Sequence, residues 1–247
     1  MTTGSILSVR GLNIQFGSRS VIQNLSFDVD TGDNVAIIGP NGAGKTVLLK
    51  ALLGLLPYEG EIRWSPGARL GYVPQKVAAD RQMPIRVHDL LAAKARVLKL
   101  HSRSIETVAA AVDLTPEVLT ASIGTISSGQ FQKALIAFAL LGEPNVLLFD
   151  EPTASLDELA EEKIYDLVER LQQEKHLTVV LVSHDLSIVY RAANKVLCLS
   201  KDMVCFGPPR EVLTPAALEA MYSAPSKYYL HRRGLEPMQS DKVAEHD

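Results

Sequence analysis

Apolar and polar residues alternate along positions 6–13 and again along 20–29, the two-residue period of strands with one solvated face. Gly32-Asp33 predicts a turn into the apolar run Val35-Ala36-Ile37-Ile38. Positions 47–53 then take up a helical pattern, and 60–64 and 69–73 predict two more short strands. From 76 to 121 the text becomes helical, with helices predicted over 90–100 and 105–114 and breaks at Pro84 and Pro116. A strongly apolar helix is expected over 130–141, and an amphipathic one over 158–174. The runs 146–149 and 178–182 fit strands buried on both faces, and 195–199 with 203–206 suggest a closing hairpin. Strands alternating with helices predict an α/β fold whose parallel sheet is covered on both faces. Residues 1–233 are read as one domain containing a helical subdomain over 76–141. Residues 234–247 are read as a polar tail.

With 247 residues the chain can bury a substantial core, and 47% apolar with 21% charged residues is ordinary for a globular protein. The net charge of −3 offers no basic surplus for nucleic acid. No signal peptide is visible at the N-terminus, and no apolar run is long enough to span a bilayer, so any membrane role is expected to be peripheral. Cys198 and Cys205, on strands expected to adjoin, are read as buried apolar cysteines in a reducing cytosol. His231 and His246 lie in or near the tail and make no close metal-ligand spacing with them.

Chemistry enters at Gly39-Pro40-Asn41-Gly42-Ala43-Gly44-Lys45-Thr46, between a predicted strand and a predicted helix beginning at Val47. This fits the phosphate-loop pattern G-x-x-x-x-G-K-[ST] without a mismatch. Glycines let the backbone approach a polyphosphate, and freed N–H groups at a helix start point positive partial charge at it. Lys45 adds a full charge near the β- and γ-phosphates, and the Thr46 hydroxyl can ligate Mg²⁺. Downstream, Val146-Leu147-Leu148-Phe149 ends in Asp150-Glu151. A buried strand delivers that acidic pair to the mouth of the loop, where Asp150 would hold Mg²⁺ and Glu151 would polarise the attacking water.

A second segment, Ile126-Ser127-Ser128-Gly129-Gln130-Phe131-Gln132-Lys133, places a hydroxyl and a glycine amide just before a helix. Here the chain resembles the ATP-binding-cassette (ABC) ATPases, whose signature LSGGQ is followed by x-Q-R. Ser127, Gly129, Gln130 and Gln132 match it, whereas Ile126, Ser128 and Lys133 depart from it. The resemblance implies a P-loop NTPase core, an N-terminal antiparallel β-subdomain and a helical insert. It implies ATP and Mg²⁺ as cofactors, and a head-to-tail dimer in which Ser127, Gly129 and Gln130 of one copy cap the γ-phosphate held by the other. Slower hydrolysis is expected from Ser128. Further matches run in family order. Phe16 stands where an aromatic stacks on adenine, and Gln75 where a glutamine reaches Mg²⁺ and the attacking water. Asp157, in Ser155-Leu156-Asp157, belongs to the loop through which the two sites sense each other, and also fits a helix N-cap. His184 matches the histidine that contacts the γ-phosphate.

One phosphate loop and a short insert favour a separate transport subunit, bound to integral-membrane permease chains at the cytoplasmic face of the inner membrane. Val73-Pro74-Gln75-Lys76, Asp80 and Met83-Pro84-Ile85-Arg86-Val87 are similar to the zinc, manganese and iron importers, although Arg86 replaces a small hydroxyl residue. Val196-Leu197-Cys198-Leu199, Cys205-Phe206-Gly207 and Tyr229-Leu230-His231 are similar to the zinc members. The resemblance implies an extracytoplasmic metal-binding protein acting through the permease. Another cargo, such as an iron chelate, haem, lipid or drug, or a soluble regulatory cassette, are the competing readings.

Overall fold

The structure, a computed structural model, describes residues 4–75, 84–153, 156–200 and 204–222. The chain begins with β1 (Ser5–Phe16), β2 (Arg19–Asp30), β3 (Asn34–Ile38), α1 (Lys45–Leu52), β4 (Glu59–Trp64) and β5 (Leu70–Val73). Helices follow: α2 (Val87–Val97), α3 (Arg103–Ala111), α4 (Pro116–Thr120) and α5 (Ser128–Leu140). Then come β6 (Val146–Asp150), α6 (Glu158–Lys175), β7 (Thr178–Val182), α7 (Leu186–Ala192), β8 (Lys195–Leu199), β9 (Val204–Gly207), α8 (Pro209–Val212) and α9 (Pro215–Tyr222).

The alternating N-terminal segments form an antiparallel sheet of order β2-β1-β4. The apolar runs form a six-stranded sheet of order β5-β6-β7-β3-β8-β9, parallel throughout except where β9 turns back on β8. Every residue of β3, β6 and β7 is buried, because both faces of this sheet are covered. On β6 the two faces belong to different cores. Leu147 and Phe149 pack with Leu91, Ile136, Leu171 and others from α2–α6, while Val146 and Leu148 pack with Leu48 of α1 and with Leu7 and Leu12 of the antiparallel sheet. Removing a fully buried ring such as Phe149 by Phe149→Ala is expected to cost about 3–5 kcal/mol.

Register brings the functional strands level. Val73 pairs with Phe149, Asp150 with Val182, and Ile37 with Val182. The segments leaving β3, β5, β6 and β7 therefore emerge at one edge, the carboxyl end of a parallel sheet, where such folds place ligands.

Several expectations need adjustment. The helix after the phosphate loop starts at Lys45, so Lys45 and Thr46 form its first turn. Four short helices, α4, α7, α8 and α9, were not anticipated, though Thr115-Pro116 carries a capping signal for α4: Thr115 accepts from the Val118 N–H, with proline in the first turn. The expectation of free cysteines is corrected. Cys198 and Cys205 are cross-strand partners of β8 and β9, with Cα atoms 4.9 Å apart, and are joined as a disulfide. Directly opposed antiparallel positions supply the Cα spacing that such a bridge needs. Lys76, Asp80, Met83, Ser155, Met203, Tyr229, Leu230, His231, His246 and the tail lie outside the described residues.

Candidate active site

The loop between β3 and α1 is shaped by close approaches. A Cβ on Gly39 would run into the carbonyl oxygen of Leu199 in β8. At Gly44, the N-cap of α1 with φ 97°, a Cβ would lie 2.8 Å from Val21 Cγ1 of β2. Two sheets thus set the path of the loop, and only glycine fits at both positions. Gly42 and Ala43 continue the turn, with Pro40 partly exposed, Asn41 exposed and Val47 partly buried.

The Lys45 ammonium is drawn into this turn. It donates to the carbonyl oxygens of Gly39 (2.9 Å) and Pro40 (3.3 Å) and lies 3.5 Å from the Glu151 carboxylate. Its side chain is only 6% exposed, so this positive charge is held at the loop by geometry rather than left in solvent. Beside it, the Thr46 hydroxyl donates to Asp150 Oδ1 at 2.9 Å, and Tyr72 donates to Asp150 Oδ2 at 3.4 Å. Burial pushes the Asp150 carboxyl above its usual range. The Thr46 hydrogen bond opposes that shift, and the neighbouring Glu151 charge adds to it. Burial and the Asp150 charge push the Tyr72 phenol up to about 12, so it remains a donor.

Glu151 leaves the strand in a left-handed conformation, φ 45°, held by its N–H donating to the Val182 carbonyl at 3.2 Å. Such a backbone is uncommon for a residue with a Cβ. The two adjacent carboxylates serve different partners. Asp150 faces Thr46, while Glu151 meets Lys45 and accepts from the Gln75 amide at 2.7 Å. His184 is exposed just past β7, and the preceding Ser183 N–H donates to the Ile37 carbonyl at 3.2 Å, pinning that turn to the strand that feeds the phosphate loop.

Lys45 and Gln75 thus meet at Glu151, and Thr46 meets Asp150. The remaining candidates lie elsewhere. Phe16 ends β1, 49% exposed and paired across the hairpin with Arg19. Ser127 caps α5 in a reciprocal box, accepting from the Gln130 N–H (3.2 Å) while its own N–H donates to Gln130 Oε1 (2.9 Å). Gly129 faces α6, where an added Cβ would sit 3.8 Å from Ala160 Cβ. Asp157 caps α6 by accepting from the Ala160 N–H at 2.8 Å.

The donor set fits a hard divalent cation shared with phosphate. A hydroxyl and a buried carboxylate oxygen from Thr46 and Asp150 are what Mg²⁺ takes from a protein in such sites. Among the described residues no group of three or more His, Cys, Asp or Glu side chains is placed to hold a metal alone.

Residues 22–154 match the family model described as ABC transporter. The chain belongs to that family. This ABC ATPase is 36% identical over 219 residues to the zinc import ATP-binding protein ZnuC of Jannaschia sp. (strain CCS1), covering 88% of each chain. It is 37% identical to the ZnuC of Chromohalobacter salexigens, covering 88% of this chain and 90% of the relative. Among solved structures, an inward-facing transporter described as of metal-chelate type superposes with a TM-score of 0.82 at 30% identity, covering 90% of each chain. CbiO1 of Clostridium perfringens, part of the ABC transporter complex CbiONQ, gives 0.75 at 25% identity, covering 87% of this chain and 93% of CbiO1. ATP is accordingly the nucleotide the ABC ATPase binds and hydrolyses. No helix among the described residues is long and apolar enough to cross a membrane.

Sequence reasoning missed Tyr72 and a buried hydroxyl group around Tyr165. Tyr72 lies within the quoted Tyr72-Val73-Pro74-Gln75, and strand alternation turns it away from Val73. Tyr165 hides in the apolar stripe of α6 with Ile164, Leu167, Val168 and Leu171. A lone hydroxyl in such a stripe was the available signal, since a buried phenol needs a partner.

Proposed function

We propose that this chain is the ATP-hydrolysing subunit of an importer for a divalent metal ion, with zinc the first choice among zinc, manganese and iron. The cargo reading rests on one observation: its ZnuC relatives are 34–38% identical. Two copies act as a head-to-tail dimer beneath the permease chains at the cytoplasmic face of the membrane, fed from outside by a metal-binding protein. A second reading, a metal chelate as cargo, is favoured by the structural likeness to the metal-chelate type transporter.

The arrangement of side chains supports a direct route to hydrolysis. Phe16 stacks on adenine, and the amides of residues 39–47 surround the phosphates. Thr46 and Asp150, 2.9 Å apart, would hold Mg²⁺ with Gln75 assisting; the ion would neutralise phosphate charge that develops during hydrolysis. Lys45 exchanges its carbonyl partners for phosphate oxygens. Glu151, oriented by Gln75 at 2.7 Å, accepts a proton from the water that attacks the γ-phosphate. His184 contacts that phosphate from the β7 side. Ser127, Gly129 and Gln130 of the second copy close the site, and Asp157 lies at the seam between copies. The helical subdomain, read as 76–141, receives the permease.

The test is the elemental content of cells lacking this protein, rescued with wild type or Glu151→Gln in metal-limited medium. Selective recovery of zinc, manganese or iron by wild type alone is expected. Full rescue by a chelate with no change in free-metal uptake would favour the second reading, and no metal change with a membrane-bound, active ATPase would overturn metal import.

A further inference from the structure

Buried hydroxyls lie beneath the two loops assigned to catalysis. Thr153, Tyr165 and Ser183 are 4%, 4% and 2% exposed. Thr153 Oγ1 donates to Glu161 Oε1 at 2.7 Å and lies 3.1 Å from the Tyr165 hydroxyl. The Asp185 N–H donates to Ser183 Oγ at 3.1 Å.

The direction of these bonds follows from proton counting, since each hydroxyl carries one hydrogen. Thr153 spends its hydrogen on Glu161, so Tyr165 must donate to Thr153. The file runs one way, from Tyr165 through Thr153 to the Glu161 carboxylate. Buried chains of this kind hold one arrangement strongly, because a missing member leaves its neighbours unpaired.

Its position gives it a role. Thr153 lies two residues beyond Glu151, and Ser183 lies immediately before His184. Tyr165 and Glu161 are successive turns of the long helix α6. We infer that Tyr165 is a positioning residue, a brace that anchors the Glu151 loop to α6 through Thr153. The phosphate loop has no member in the file, so the brace acts on hydrolysis and not on nucleotide affinity. This inference rests on the catalytic reading of Glu151 above.

The test compares ATP hydrolysis, nucleotide affinity and melting temperature for the full chain and its variants, assayed well below every melting point. Tyr165→Phe is expected to lower kcat about tenfold, the scale of a small misplacement of reacting groups, with ATP Kd unchanged. Thr153→Val should act likewise, Thr153→Ser should restore hydrolysis, and the Tyr165→Phe/Thr153→Val pair should be no slower than the slower single variant, because either cut breaks the same file. Should Tyr165→Phe fold poorly, Thr153→Val against Thr153→Ser carries the comparison. A lowered melting temperature with wild-type kcat, or fully multiplicative slowing in the pair, overturns the brace. Glu151→Gln runs alongside. If it slows hydrolysis while the brace variants do not, the brace alone is wrong; if it does not, the catalytic reading falls and the brace with it.

Discussion

The phosphate loop and the Ser127–Gln130 segment both lead into helix N-termini, yet the chain treats them differently. Around α1 the polar groups are knitted across the fold: Lys45 to Glu151, Thr46 and Tyr72 to Asp150, Gln75 to Glu151. At α5 the polar groups are turned on themselves, Ser127 and Gln130 satisfying each other in a capping box. The first half is thus organised by long-range partners, and the second, held by a local cap that typically stabilises a helix end by about 1 kcal/mol, is the more adaptable.

The largest expected effect is on the organised side. Glu151→Gln keeps the shape and the contact with Gln75 but removes the proton acceptor. Phosphate release should fall at least about a hundredfold, with nucleotide binding intact and closed dimers accumulating. An unchanged rate would remove Glu151 as the base. On the adaptable side, Ser127→Ala should slow hydrolysis about tenfold without altering ATP binding to the isolated chain, as checked by nucleotide titration. An equal loss of binding would mean that the two halves are not separable in this way. Ser128→Gly should change turnover only about two- to threefold in steady-state assays, because Ser127 and Gly129 carry the expected contacts; complete loss would give Ser128 a role of its own.

The smallest effect is on stability. Burial holds the Asp150 pKa above its unfolded value, so ionised Asp150 destabilises the unliganded fold at neutral pH, and that penalty fades as pH falls through the folded pKa. Asp150→Asn should thus raise the melting temperature of the unliganded protein at pH 7, and the gain should shrink in acid. A lower melting temperature would show that the bonds from Thr46 and Tyr72 outweigh the cost of burying the charge.

Much of this was legible in the sequence because the relevant signals are local. A glycine loop between an apolar run and a helix, and an acidic pair closing a buried strand, announce both their structure and their chemistry. The strand 178–182 was read with its observed bounds, Thr178–Val182, since a run of apolar residues between polar ones has no other good home. What stayed hidden depends on pairing between distant segments. The left-handed turn at Glu151 is held by Val182, the Tyr72 hydroxyl finds Asp150 only after β5 and β6 align, and Cys198 meets Cys205 through strand register. Short helices such as α7 escaped because a single turn or two carries too little periodicity to be distinguished from a loop.

The division of β6 between two cores bears on how this protein can change over generations. Leu147 and Leu148 are covalent neighbours, yet one packs among the helices of α2–α6 and the other against α1 and the antiparallel sheet. A change of volume at Leu147 finds its compensating change at a position such as Ile136 or Leu171, and one at Leu148 at a position such as Leu48. Adjacent letters of the chain thus drift on separate schedules, each tethered to its own distant companions.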